Sequence, residues 1–313
     1  MAEGSDRFLD ALRSQGQLCD DCIYPLAGFS RRQGANQLGR RLQTLGLVDR
    51  SDGICSECHG SKIVNRISSG SKVIEATGRV PAAIPHASVS RTWNVTPAQF
   101  EACVRDFVDG TSDSNGRQPD ERYASFDYCF NYFQSFREAG KTTLLAGSDN
   151  IQASCLQLGF YLASWGLLRG SSHLLQKSVR YLTPVVELIA ETDADFWEID
   201  AHDYEGSNIE RLLDQASKIR LTMQRATDTL VTKIMLGVFG CVPAFDTYFT
   251  GGFGVSTFGA KALNKVADFY QDHAELIDAC RVPTIDFVTG EPTSRLYTRA
   301  KVIDMAFFVR GMA

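Results

Sequence analysis

Four cysteines stand in two tight pairs, Cys19-Asp20-Asp21-Cys22 and Cys55-Ser56-Glu57-Cys58. Zinc takes four soft ligands in a tetrahedron, and each C-x-x-C pair supplies two thiolates from one turn. Cys19, Cys22, Cys55 and Cys58 are therefore expected to close a structural zinc site with no open position. His59 adjoins the second pair and could replace a thiolate, although four cysteines suffice. The alternative is a set of ordinary buried thiols or a redox pair. The gap between the pairs is longer than in common zinc ribbons. It holds a helix-like segment over residues 30–45 whose polar sides carry Arg31, Arg32, Gln33, Asn36, Gln37, Arg40 and Arg41. Arginine can pair bidentately with guanine, and asparagine or glutamine with adenine, while outer arginines hold phosphates. These types suit a helix in the major groove of double-stranded DNA; the competing reading is a solvated helix face in a protein-binding module.

A second candidate lies in the larger remainder. The run Thr229-Leu230-Val231-Thr232-Lys233-Ile234-Met235-Leu236-Gly237-Val238-Phe239-Gly240 reads as a buried helix ending at glycine. It leads into Cys241-Val242-Pro243-Ala244-Phe245-Asp246-Thr247-Tyr248-Phe249. This segment resembles the helix-hairpin-helix DNA glycosylases, a superfamily that includes endonuclease III. There a helix ending in Phe-Gly leads through a proline-containing turn to x-Asp-Thr-His. Phe239-Gly240 and Asp246-Thr247 match, and Tyr248 stands where histidine is common. The resemblance implies that Asp246 is catalytic and that a base is flipped out of the stack before excision. A carboxylate suits that chemistry because cleaving an N-glycosidic bond builds positive charge on the sugar, which an aspartate stabilises while it orients water. The chain departs from the family at three points. No glycine stands in Arg225-Ala226-Thr227, where a Gly-rich hairpin is expected. The lysine nucleophile of bifunctional members has no clear counterpart, so the resemblance implies a monofunctional enzyme that leaves an abasic site. The C-terminal iron-sulfur cysteines are missing. Within the fold, Asp246 could instead simply cap the next helix.

The cysteine-bracketed N-terminus also resembles zinc-bearing winged-helix domains of uncharacterised bacterial proteins, over about the first 67 residues. The whole arrangement resembles bacterial phage-defence glycosylases that attack modified bases, such as glucosylated hydroxymethylcytosine. A roomy polar pocket is then expected, with Trp165, Arg169, Ser171, Ser172, Asp286 and Lys301 as candidates to stack on and hydrogen-bond the base. The plainer reading of Trp165 to Ser172 is a core tryptophan followed by a helix cap. The acidic run Asp200-Ala201-His202-Asp203-Tyr204-Glu205 has metal-ligand types but reads as a loop. No P-loop and no G-x-S-x-G elbow is present.

These residues need elements to hold them. The spacing predicts helices over 7–13, 20–26 and from the cap Ser30 to Gly46, with Leu38, Leu42 and Leu45 on one face. Strands over 47–50 and 62–66 would complete a winged helix-turn-helix, with Cys55 and Cys58 near the hairpin tip. Residues 68–94, rich in Ser, Gly, Ala and Pro at their centre, read as a linker. From the capping pair Thr96-Pro97 onward the pattern is helical, with stretches at 155–169, 172–190 (where Pro184 could kink the helix), 209–224, 228–239, 261–279 and 297–309. The expected fold class is mainly α: a zinc-stapled winged helix-turn-helix over 1–67, followed by an all-helical, glycosylase-like domain over 95–313.

Composition bounds the partners. The 313 residues carry a net charge of −5, yet residues 31–66 hold seven Lys/Arg against three Asp/Glu, a local basic patch on an acidic chain. Such a patch can bind phosphate in a salt-sensitive way. No apolar run predicts a membrane span. A polar start without a signal peptide and an odd number of cysteines, nine, predict a cytoplasmic protein with reduced thiols. The leading function is a DNA glycosylase. Alternatives are a DNA-binding regulator with a helical ligand-sensing or dimerisation domain, and an adaptor that recruits a nuclease.

Overall fold

A computed structural model of the chain describes residues 2–29, 32–44, 47–58, 60–68, 93–170, 172–223 and 225–312; of residues 2–6, 32–34, 37, 41, 44 and 61 it describes the backbone alone. The chain divides into two compact units, Met1–Ser88 and Val89–Ala313. The segment 68–94 read as a linker falls mostly outside the described residues.

The first unit runs α1 (Ala2–Gln15), β1 (Leu18–Cys19), α2 (Asp20–Leu26), α3 (Arg32–Thr44), β2 (Val48–Ile54) and β3 (Ser61–Ile67). Strands β2 and β3 pair antiparallel from Val48↔Ile67 to Ile54↔Ser61, and β1 adds to β3 through Leu18↔Asn65 and Cys19↔Val64. The hairpin is longer than the alternating residues suggested, and the two-residue β1 was not foreseen. The core gathers Phe8, Leu12, Leu18, Ile23, Leu42, Val48 and Val64. Of the helix-face residues, Leu42 is buried and Leu38 packs against this core; Leu45, with the proposed boundary residues Ser30 and Gly46, lies outside the described residues.

The second unit contains α4 (Pro97–Asp109), α5 (Ser125–Glu138), α6 (Ile151–Ser164), α7 (Thr183–Ala190), α8 (Gly206–Thr222), α9 (Asp228–Phe239), α10 (Thr247–Phe253), α11 (Ala260–Asp272), α12 (Ala274–Ala279), β4 (Pro283–Ile285), β5 (Pro292–Leu296) and α13 (Arg299–Met312). Thr96 forms a full capping box with Gln99, and Pro97 occupies the first turn, as the sequence suggested. Helix α9 is buried at every residue from Leu230 to Phe239, and Gly240 ends it in the left-handed conformation. It packs against α5, α6 and α8, while α13 packs along α10 and α4.

Three sequence expectations are corrected. The unit is mainly helical but not all-helical, because β4 and β5 form a short antiparallel hairpin. The stretch 172–190 is not one helix: two 3-10 turns, His173–Gln176 and Val179–Leu182, precede α7. Pro184 sits in the first turn of α7, where its missing N–H costs nothing, and so produces no kink. The stretch 261–279 breaks at His273, which joins α11 to α12 with φ −136° and ψ 27°.

Candidate functional site

The four cysteines converge. Cys19 is the N-cap of α2, Cys22 lies in that helix's first turn, and Cys55 and Cys58 occupy the tip of the β2–β3 hairpin. Their sulfur atoms all lie within 4.8 Å of one another, with Cys19 Sγ and Cys58 Sγ 3.8 Å apart. A tetrahedral ion with metal–sulfur bonds of about 2.3 Å would set its ligand sulfurs about 3.8 Å apart. The donor set and spacing therefore fit a structural metal site. Among the described residues, no other cluster of Cys, His, Asp and Glu side chains is close enough to hold an ion; His59 lies outside them. All four thiols are free. Burial and neighbouring sulfurs raise Cys22 above the usual thiol range. Burial also acts to raise Cys55, but the backbone N–H groups of Cys58, Cys19 and Glu57 outweigh it and bring it down to about 6. A bound cation favours thiolate over thiol, so binding an ion at four such cysteines would release protons.

Beside this cluster, and not foreseen from sequence, lies a buried charged network. Asp20 accepts a bidentate pair from Arg50 at 2.8 and 2.9 Å, together with bonds from Asn36 at 2.6 Å and Asn65 at 3.0 Å. The Asp20 and Arg50 side chains are 4% and 5% exposed. Burial pushes the Asp20 carboxyl up, but these donors more than offset it and hold it at about 2. The network ties α2, α3, β2 and β3 together and fixes the pitch of α3. It also takes Asn36 from the set of base-reading candidates, since its amide nitrogen is committed to Asp20. Arg40 is exposed on α3. Arg31 lies outside the described residues, as do the side chains of Arg32, Gln33, Gln37 and Arg41.

In the second unit, Asp246 stands between α9 and α10. It caps α10, its Oδ1 accepting the Phe249 N–H at 2.9 Å. Its Oδ2 accepts from Lys233 Nζ at 2.8 Å; the two side chains are 14% and 4% exposed. Lys233 projects from mid-α9 and also stands 4.6 Å from the centre of the Trp165 ring. A second buried pair backs the first. Lys301 Nζ donates to Asp304 Oδ2 at 3.0 Å, and Asp304 Oδ1 accepts the Ala244 N–H at 2.8 Å, bracing the turn that carries Asp246. The Lys301 ammonium is ringed by Phe107, Phe126, Trp165 and Tyr297 at 4.6–5.9 Å, and burial lowers its pKa against the pull of Asp304. The turn before α9 holds Arg225 at φ +58°, so this short connection adopts left-handed backbone without a glycine.

The expected pocket residues therefore part company. Trp165 does sit beside the Asp246 pair: its indole lies over Lys233 and stacks on Tyr123 at 5.4 Å, and its buried Nε1 has no hydrogen-bond partner among the described residues. Lys301 is present but 1% exposed, so it acts from within the core. Ser172 caps the following 3-10 turn, accepting from Leu174 N and donating to Leu167 O. Asp286 closes the β4–β5 turn, accepting from Val288 N, Thr289 N and Thr289 Oγ1. Arg169 is exposed and Ser171 lies outside the described residues. Asp200 caps a 3-10 turn and the start of α13, accepting from Ala201, Arg299 and Ala300 N–H groups, so the acidic loop has a structural role.

Sequence reasoning missed Lys233, Arg122 and Tyr123. A lysine midway through an apolar run was the available signal for Lys233, since a buried ammonium requires a partner. The last two were masked by their setting in a polar loop. That loop walls an open cleft of ≈ 640 Å³, lined by Thr111, Ser112, Ser114, Asn115, Arg122 and Tyr123 among others. Arg122 lies over both the Tyr123 and the Trp165 rings, at 5.0 and 6.0 Å. No helix among the described residues is long and apolar enough to cross a membrane. Comparison of the chain with known protein families, with curated proteins and with solved structures finds no match.

Proposed function

We propose that this protein is a monofunctional DNA glycosylase, with its first unit a zinc-clamped winged helix-turn-helix that holds double-stranded DNA. The observation that carries the proposal is Asp246. Its carboxylate is fixed by a helix N-terminus on one oxygen and on the other by Lys233, whose ammonium also faces the Trp165 ring, directly after a helix–turn–helix. Each oxygen keeps a lone-pair direction for a further partner. A carboxylate so anchored can face a developing sugar cation and orient water without reorganising. In this reading the Arg225 turn stands where the family's glycine hairpin meets the DNA backbone, and Trp165 borders the flipped base.

In the first unit, α2 and α3 form the helix-turn-helix and β2–β3 the wing. Zinc on Cys19, Cys22, Cys55 and Cys58 pins the wing tip to the start of α2. The Asp20 network braces α3, with Asn36 serving the frame, and Arg31, Arg32, Gln33, Gln37, Arg40 and Arg41 are the residues this reading assigns to DNA contact. The protein then acts on intracellular or invading DNA in the cytoplasm, and a modified base, such as a glucosylated hydroxymethylcytosine of phage DNA, is the substrate the resemblance favours.

A second reading, a non-enzymatic DNA-binding regulator, draws on the same carboxylate, since both Asp246 oxygens already serve the fold. The two separate in one assay. Purified protein is incubated with duplexes carrying unmodified, methylated, hydroxymethylated, glucosylated, deaminated or alkylated bases. Free base and alkali-labile sites support the glycosylase. Tight binding without release from any duplex supports the regulator.

A further inference from the structure

We propose that a pocket at the C-terminal end of α10 binds a small anionic ligand, a planar ring that carries an oxyanion, either phosphate or carboxylate. The site is separate from Asp246. Helix α10 begins at its cap Asp246 and ends at the pocket, so either reading can fail without the other.

The pocket has a volume of ≈ 370 Å³, and its lining combines Trp93, Phe253 and Phe307 with Lys265, Arg310 and Gly251. An aromatic wall with a few placed polar groups is the make-up of a small-molecule site, and this volume lies toward the lower end of that class. The aromatic part is held rigidly. Phe253 and Phe307 are each 4% exposed. Trp93 lies nearly parallel to Phe253 at 6.3 Å, meets Phe269 edge-on at 5.0 Å, and donates its indole N–H to Asp272 at 2.7 Å. Flat side chains fixed in this way favour a flat ligand.

The charged part of the lining lacks an anion. Among the described residues, no carboxylate lines the pocket. Lys265 Nζ donates to Phe253 O at 2.7 Å and to Gly254 O at 3.0 Å, and stands 4.8 Å from the centre of the Phe253 ring. Two of its three N–H groups are used, and the third remains for a ligand. Burial lowers the Lys265 pKa, a penalty that a bound anion would offset. Arg310 lies half-buried in the last turn of α13 and has no hydrogen-bond or ion-pair partner among the described residues. Two cations from two helices, one of them a planar fork of donors, suit a phosphate or a carboxylate.

Glycines shape the floor. A side chain at Gly252 would collide with Phe307 O, so α10 lies directly on the α13 backbone there. One residue earlier, a Cβ at Gly251 would meet nothing within 4 Å. The empty space at Gly251 belongs to the pocket, and a larger side chain can enter it without disturbing the helix.

The test titrates the full chain by calorimetry with four probes: adenosine monophosphate, uncharged adenosine, inorganic phosphate and indoleacetate. Charge-assisted bonds to two cations predict that adenosine monophosphate or indoleacetate binds at least about tenfold tighter than adenosine or inorganic phosphate. The tighter of the two identifies the oxyanion as phosphate or carboxylate. Arg310→Gln removes a charge that no contact in the fold uses, and Gly251→Leu fills the pocket from an open helical position. Each should weaken the tighter probe at least about tenfold, while amide exchange in α9 and α13 stays at the wild-type rate. Three results would overturn the proposal: no probe binds at about 1 mM, adenosine or inorganic phosphate matches the tighter anion-bearing ring, or both variants bind that probe like the wild type. None of these readouts involves base release, so the reading of Asp246 stands or falls separately.

Discussion

Replacing Asp20 with alanine should loosen the whole first unit although Asp20 touches neither the candidate metal nor any proposed DNA contact. Its carboxylate accepts four hydrogen bonds, two of them from one guanidinium, and both members of the pair are at most 5% exposed. Alanine leaves Arg50 buried with Asn65 alone, and an uncompensated buried charge costs about 3–5 kcal/mol. The same contacts hold the carboxyl at about 2 against a usual 3.8. The network therefore favours the ionised, folded form, by on the order of 2 kcal/mol. With the folded value depressed, that contribution is present above pH ~4 and is lost as pH falls through about 2. Taking 3 kcal/mol or more, amide hydrogen exchange in α3, β2 and β3 should accelerate at least about 10²-fold in zinc-saturated buffer at neutral pH. Exchange in α9 of the second unit should not change. DNA affinity should fall with it, because α3 loses its pitch. The partner variant Arg50→Met combined with Asp20→Ala should cost less than the sum of the two single changes. A less than fivefold change in exchange for Asp20→Ala, or strict additivity with Arg50→Met, would refute the claim that this network frames the unit.

Further expectations follow from the same packing. Gly39 lies inside α3, where alanine ordinarily gains about 0.5–1 kcal/mol, but a Cβ there would run into Arg50 Nη1 and Asn65 Oδ1; Gly39→Ala should therefore destabilise the unit, as read by the same exchange experiment, and a stabilised variant would contradict the packing. Metal analysis should find about one zinc per chain, and chelation or Cys55→Ser should abolish protection in the first unit while α9 keeps its own. Lys301→Met removes one partner of a buried pair and should destabilise the second unit by about 3 kcal/mol in urea denaturation; restoring most of that loss with Asp304→Asn in addition would identify the stranded carboxylate as the cause.

The legibility of the chain follows from how local each constraint is. The cysteine pairs could be read because tetrahedral coordination fixes both residue type and spacing, and the buried α9 because ten consecutive residues leave no solvent face. Asp20 sits inside the first C-x-x-C, yet its role depends on Arg50 and Asn65, which the sheet register brings to it from 30 and 45 residues away. Asn36 looked like a base reader because the same amide suits adenine and a buried carboxylate equally well. Strands β4 and β5 went unseen: they are three and five residues long and each starts with proline. The stretch 172–190 kept enough apolar residues at helical spacing to pass as one helix, but Ser172 and Ser178 each begin a new 3-10 turn. Asp246 was legible both as a catalytic match and as a cap. It is a cap, and its pairing with Lys233 beside Trp165 is what keeps the catalytic reading in play.

The most direct test of the central claim substitutes that one carboxylate. Duplexes from the modified-base panel are incubated with wild-type chain and with Asp246→Asn, and released base is quantified by mass spectrometry beside DNA binding at fixed salt. The asparagine keeps the helix cap, so binding should stay within about twofold, while release falls by at least about 10²-fold. Release that survives Asp246→Asn, or a wild-type chain that binds every duplex and frees no base, would contradict the account.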